Sequence, residues 1–173
     1  WHQDYGYWYH YGYPYPDMLS CLIAVDRATK DNGCLQVLAG SHKMGRVEHK
    51  LTGEQAGAAP DRIELAKELF PLVHCEMQPG AALFFHSNLL HASAQNKSAN
   101  PRWSLICCYT AKNNIPKHDP NHPGYEHPFE KVADSAIRAT GKRTLAGSAA
   151  FLGKSVETYA AKDDNAATAT SEK

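Results

Sequence analysis

At 173 residues the chain is long enough for one domain with a core of its own. Lys plus Arg and Asp plus Glu each number 18, which argues against the basic footprint of a nucleic-acid or anionic-membrane binder. The longest apolar runs, such as AALFF and LICCY, fall far short of a bilayer span.

The chain begins at Trp1 without an initiator Met, so a preceding segment is expected. His2-Gln3-Asp4 comes first. On a strand, residues i and i+2 share a face about 7 Å apart, so His2 and Asp4 could reach one metal ion while Gln3 faces the other way. Six tyrosines follow on alternate positions from Tyr5 to Tyr15. Gly6, Gly12 and Pro14 interrupt any regular strand there. Residues 5–16 are read as a loop leaving the metal strand, with aromatics partly lining a substrate entrance or packing on the expected preceding N-terminal segment.

MLSCLIAV (18–25) is a short apolar run of strand type. Asp31-Asn32-Gly33 is a turn signal, and CLQVLAG follows as the next strand, so residues 18–39 are expected to form a hairpin. Gly40-Ser41-His42-Lys43 is a loop in which His42 is structural. PDRIELAKELF (60–70) has Pro60 and Asp61 in its first turn, Ile63, Ala66 and Phe70 on one face, and Pro71 as a stop, which predicts a helix. Strands follow at 72–77, at ALFFH (82–86) and at WSLICCYT (103–110), with a turn at Gln78-Pro79-Gly80.

Residues 111–128 are rich in Pro, His and Asn and read as an irregular excursion. His118, His122 and His127 there suggest adventitious metal binding only. A short helix is expected over 130–139, and the polar last residues form a disordered tail. Short strands separated by turns, with one inserted helix, indicate an antiparallel all-β sandwich or barrel. The five cysteines (Cys21, Cys34, Cys75, Cys107 and Cys108) show no zinc spacing and are read as buried free thiols of a reducing compartment.

The H-x-D spacing alone is weak, and His74-Cys75-Glu76 offers a rival pair of the same geometry. The best third ligand lies in FFHSNLLHASAQNKSANPR. His91 is followed at i+2 by Ser93 and at i+11 by Arg102, so an extended 91–93 puts His91 and Ser93 on one face. Two His and one carboxylate make the facial set of non-haem Fe(II) oxygenases. Arg102 offers a forked, permanently charged partner for a carboxylate. His86 is read as structural, His10 as a weak substrate contact, and Gln95 and Asn96 as either turn caps or substrate contacts.

WHQD, NGCLQVLAGSHK and FFHSNLLHASAQN…R together resemble the phytanoyl-CoA dioxygenase family of Fe(II)/2-oxoglutarate-dependent oxygenases, over roughly residues 1–140. The resemblance implies His2, Asp4 and His91 as iron ligands, and Arg102, assisted by the Ser93 hydroxyl, as the anchor of the distal 2-oxoglutarate carboxylate. It sets His74 and Glu76 aside. It implies an all-β double-stranded β-helix, a jelly-roll of the cupin kind, with an inserted helix and a short C-terminal helix. The core would cover 1–140, lacking the family's N-terminal part, with 141–173 a partly disordered extension. The implied reaction consumes O2 and hydroxylates an unactivated C–H bond of a small organic or acyl substrate, releasing succinate and CO2. Asp4 favours hydroxylation, since related halogenases lack this carboxylate. A non-catalytic metal-binding module or an inactive fragment is the alternative. Leu22 stands where the family often carries a bulky aromatic near the cosubstrate. Ser171-Glu172-Lys173 is not a peroxisomal tripeptide, so the cytoplasm is the default expectation.

Overall fold

The computed structural model describes residues 1–52, 55–117 and 131–136. The chain divides into two units, Trp1–Pro128 and Phe129–Lys173, and every element below belongs to the first. In chain order these are helix α1 (Asp4–Trp8), β1 (Met18–Ala24), β2 (Leu35–Leu38), a 3-10 turn at Ser41–Met44, β3 (His49–Thr52), β4 (Gln55–Ala58), helix α2 (Pro60–Leu69), β5 (Leu72–His74), β6 (Ala82–His86), β7 (His91–Ser93) and β8 (Ser104–Thr110).

Two three-stranded antiparallel sheets, β6-β1-β8 and β5-β2-β7, carry the fold, with β3-β4 as a separate ribbon. The expected 18–39 hairpin does not form, because β1 and β2 lie in different sheets. The turn signal is nevertheless used. Asn32 Oδ1 accepts the Thr29 N–H, its Nδ2 donates to the Arg27 carbonyl, and Gly33 takes a φ of +79°. This compact turn carries the chain across to the second sheet. A Cβ at Gly33 would collide with the Ala94 carbonyl, so only glycine allows the end of β7 to approach so closely.

Side chains from both sheets share one apolar core. Leu22 and Ala24 of β1 and Phe85 of β6 pack with Leu35 and Val37 of β2. Leu22 therefore packs in that core. A second cluster joins Leu38, Val47, Ala58, Ala66 and Leu90, with Ile63 and Phe70 of the α2 face against it. The predicted helix thus forms and buries the face its periodicity indicated.

On β1 the register puts Ser20 opposite Cys108 and Leu22 opposite Ile106, which defines the inner face of that sheet. All five cysteines are free; Cys21 and Cys34 are buried as expected, Cys75 and Cys107 are half-buried, and Cys108 is exposed on this face, against the expectation of buried thiols. The β3-β4 ribbon was not foreseen. The strand expected over 72–77 ends at His74. Of the helix expected over 130–139, residues 131–136 are described and show one turn's hydrogen bond, Ala136 N–H to the Ala133 carbonyl. The rest of it, most of the 111–128 excursion with His118, His122 and His127, and the 141–173 extension lie outside the described residues.

Candidate metal centre

The first residues run antiparallel to the start of β7. The His2 N–H donates to the His91 carbonyl and the His91 N–H to the His2 carbonyl, each at 3.0 Å. Such a reciprocally bonded pair holds both side chains on one face. The two imidazole centroids are accordingly 4.1 Å apart. Gln3 is still extended, at φ −113° and ψ 137°, and the helix begins at Asp4. H-x-D is thus an extended step ending at a helix start and differs from the regular strand its spacing suggests.

Gln3 makes this break possible. It is fully buried. Its Nε2 donates to the carbonyls of Gly45 (2.8 Å) and Asn88 (2.7 Å), and its Oε1 accepts the Val47 N–H at 2.8 Å. Its own N–H donates to His49 Nε2 at 2.9 Å, while His49 Nδ1 lies 3.0 Å from the Val47 carbonyl. A carbonyl can only accept, so Nδ1 carries the His49 proton and the ring is neutral. Burial, chiefly, holds its pKa below the ordinary value.

Asp4 Oδ1 sits 3.5 Å from Nε2 of both His2 and His91. One ligand atom from each of the three residues lies within 4.8 Å of the others, and among the described residues this is the only such group of three. A first-row divalent ion bound at about 2.1 Å holds neighbouring ligand atoms about 3 Å apart, so small side-chain rotations would close the set. His91 Nδ1 is 2.9 Å from the Leu89 carbonyl, which places the proton there and leaves the Nε2 lone pair toward Asp4 Oδ1. Two acceptors turned toward one point suit a cation. Burial and the His2 ring, in that order, hold the His91 pKa below its ordinary value, against the pull of Asp4. Burial pushes the Asp4 carboxyl up, but His2, His91 and Ser20 together outweigh it and its pKa is lowered.

Asp4 Oδ2 points away from the rings and accepts the Ser20 hydroxyl at 2.5 Å. Ser20 is fully buried on the inner face of β1. Neither Ser20 nor the double role of Gln3 was legible in the sequence, since both depend on partners far along the chain.

Arg102 Nε donates to the Asn32 carbonyl at 3.0 Å. Among the described residues its guanidinium pairs with no carboxylate. Pairing with β1 continues past β8 through the Val25 N–H to the Trp103 carbonyl, so Arg102 shares the parity of Ser104, Ile106 and Cys108 on the inner face. Ser93 is exposed at the end of β7, opposite Leu35.

The other candidates are placed elsewhere. Glu76 accepts the Lys30 N–H, and His74 and Glu76 gather no third ligand among the described residues. His86 Nδ1 accepts the Asn88 N–H, and its ring faces His42 at 5.7 Å. Asn96 closes its own loop through Asn100 and Ser98, while Gln95 and His10 are exposed. The tyrosine segment departs from the expected loop, for α1 occupies Asp4–Trp8. Tyr5 is buried with its hydroxyl on the Tyr13 carbonyl, Tyr7 lies 5.4 Å from the His2 ring and 5.3 Å from His49, and Tyr9 carries the Arg46 guanidinium at 4.1 Å. Two surface concavities, of about 540 and 640 Å³, are lined by other residues and do not include the triad.

Two antiparallel sheets that bring two imidazoles and a carboxylate together offer the ligand set that non-haem Fe(II) oxygenases use. Comparison with known proteins makes this specific: residues 1–104 match the family model described as phytanoyl-CoA dioxygenase (PhyH). The chain belongs to this family of Fe(II)/2-oxoglutarate-dependent oxygenases.

It is 31% identical over 141 residues to the L-proline trans-4-hydroxylase of Streptomyces griseoviridis, covering 71% of this chain and 52% of that protein. It is 33% identical over 113 residues to a probable phytanoyl-CoA dioxygenase of Caenorhabditis elegans, covering 62% and 35%. Among solved structures it resembles EctD from S. alaskensis with bound Fe, at a TM-score of 0.58 and 25% identity over 68% of this chain and 40% of that one. EctD has also been solved with 2-oxoglutarate and 5-hydroxyectoine. The chain spans about half or less of the length of these relatives.

Proposed function

We propose that this chain carries the catalytic core of an Fe(II)/2-oxoglutarate-dependent dioxygenase that hydroxylates a C–H bond of a small organic or acyl substrate, with release of succinate and CO2. The observation that carries the proposal is the convergence of Asp4 Oδ1 and the two imidazole Nε2 atoms, with the His91 tautomer fixed by the Leu89 carbonyl. In this reading β6-β1-β8 and β5-β2-β7 are the two walls of a double-stranded β-helix.

His2, Asp4 and His91 would hold the iron on one side, and iron with 2-oxoglutarate supplies the O2 activation that no side chain can. The protein's own part is to bind, orient and neutralise. Arg102, its Nε tied to the Asn32 carbonyl, keeps the rest of its fork for the distal carboxylate of the cosubstrate, and the Ser93 hydroxyl stands on the same strand face as His91. Asp4 contributes one negative charge, so the Fe(II) site retains a single positive charge before the cosubstrate enters. The reciprocal His2–His91 bridge locks two of the three ligands to one backbone frame, which lowers the entropy lost on metal binding.

The test is succinate formation from 2-oxoglutarate by the purified chain with Fe(II), beside Asp4→Ala. The proposal expects succinate from the parent chain and little from the variant. Retained metal without succinate would point instead to a cupin-like binding module, and equal turnover in Asp4→Ala would remove the site assignment.

A further inference from the structure

The Ser20–Asp4 contact gives Ser20 a role in the metal centre. We infer that Ser20 is a positioning residue that decides which Asp4 oxygen faces the metal, a deepening that rests on the iron-site reading above.

Asp4 opens α1, where a carboxylate is ordinarily drawn to the free N–H groups of the first turn. The contacts of the Asp4 carboxylate are instead with His2, His91 and Ser20. Its two oxygens are used differently: Oδ1 lies 3.5 Å from each imidazole Nε2, and Oδ2 takes the Ser20 hydroxyl at 2.5 Å. That separation is in the range of a charge-assisted O–H···O⁻ bond. The donor is rigidly placed. Ser20 lies in the middle strand of its sheet, between Phe85 of β6 and Cys108 of β8, and is fully buried. Its hydroxyl also lies 3.7 Å from Cys108 Sγ.

β1 therefore acts as a template for a ligand that belongs to a short helix in another part of the chain. With Oδ2 engaged, Asp4 presents Oδ1 alone and cannot swing back to cap α1. Outer-shell partners of this kind commonly change metal affinity by about 10–100-fold.

The experiment titrates the full metal-free chain with Mn(II), reading free Mn(II) by electron paramagnetic resonance, for the parent, Ser20→Ala and Ser20→Thr. The melting temperature of each metal-free chain is measured alongside. The inference predicts that Ser20→Ala weakens Mn(II) binding by about tenfold or more while the metal-free chain melts near the parent, and that Ser20→Thr recovers most of the affinity. Tight binding by the parent with equal binding by Ser20→Ala would overturn the inference and leave the iron site standing. Weaker binding that tracks an equally large loss of metal-free stability would assign Ser20 a structural role and overturn it too. No Mn(II) uptake by the parent would instead remove the iron-site reading itself.

Discussion

Gly6→Ala separates two opposed forces at the base of the site. Gly6 lies inside α1 with φ outside the left-handed region, so local preference alone favours alanine by about 0.5–1 kcal/mol. Packing says the reverse. A Cβ at Gly6 would fall inside the His49 imidazole. That ring is not a free side-chain end, because both nitrogens are engaged, with the Gln3 N–H at 2.9 Å and the Val47 carbonyl at 3.0 Å. Moving it costs two buried hydrogen bonds, about 1 kcal/mol each, and overpacking adds about 1–3 kcal/mol. The net is a destabilisation of about 2–5 kcal/mol, a large part of an ordinary domain's total of about 5–15 kcal/mol. Thermal unfolding of the metal-free chain should show a drop of roughly 5–20 °C. The double variant with His49→Ala should lose less than the two single losses combined, since the collision partner is gone. A Gly6→Ala chain that melts at or above the parent would refute this account of the Gln3–His49 support.

Three further outcomes follow from the same geometry. Gln3→Leu should leave the Gly45 and Asn88 carbonyls and the Val47 N–H without their buried partner, destabilising by about 3–5 kcal/mol in urea unfolding; an unchanged midpoint would mean that water replaces the amide. Arg102→Ala should weaken 2-oxoglutarate binding by about 2–5 kcal/mol, read by calorimetry with Mn(II) present, and unchanged affinity would assign the anchor elsewhere. His49 has a folded pKa below its ordinary 6.5, so its contribution to stability is complete above that value and is lost as the pH falls toward the folded pKa, where the unfolded chain takes up the proton first. Melting temperatures of the metal-free chain should fall on acidification below pH 6.5, less steeply in His49→Gln; identical slopes would contradict a lowered His49 pKa in the folded chain.

Much of the framework was legible because local signals and tertiary outcome agree. β1, β6 and β8 are apolar runs bounded by turn residues, and α2 has its proline, its apolar face and its stop. Strand partners were less legible. The Asp31-Asn32-Gly33 signal predicts a hairpin, but residues 25–34 are long enough, and Asn32 ties them tightly enough, to pass the chain to the other sheet. β3 and β4 carry little apolar alternation, and His49 is buried against Gln3, Gly6 and Tyr7, which lie far from it in sequence. At the site, His2, Asp4, His91 and Arg102 were legible from three motifs in the family's order, because the H-x-D spacing alone does not separate them from His74 and Glu76. Ser20 was not, since a serine within an apolar strand gains meaning only from the register that sets it beside Asp4.

The most direct test of the central claim is an anaerobic visible spectrum of the chain with Fe(II), taken before and after addition of 2-oxoglutarate, beside Asp4→Ala. The account predicts a charge-transfer absorption that appears with the cosubstrate in the parent chain and is absent from the variant. Iron retained with no new absorption, or the same absorption in Asp4→Ala, would contradict it.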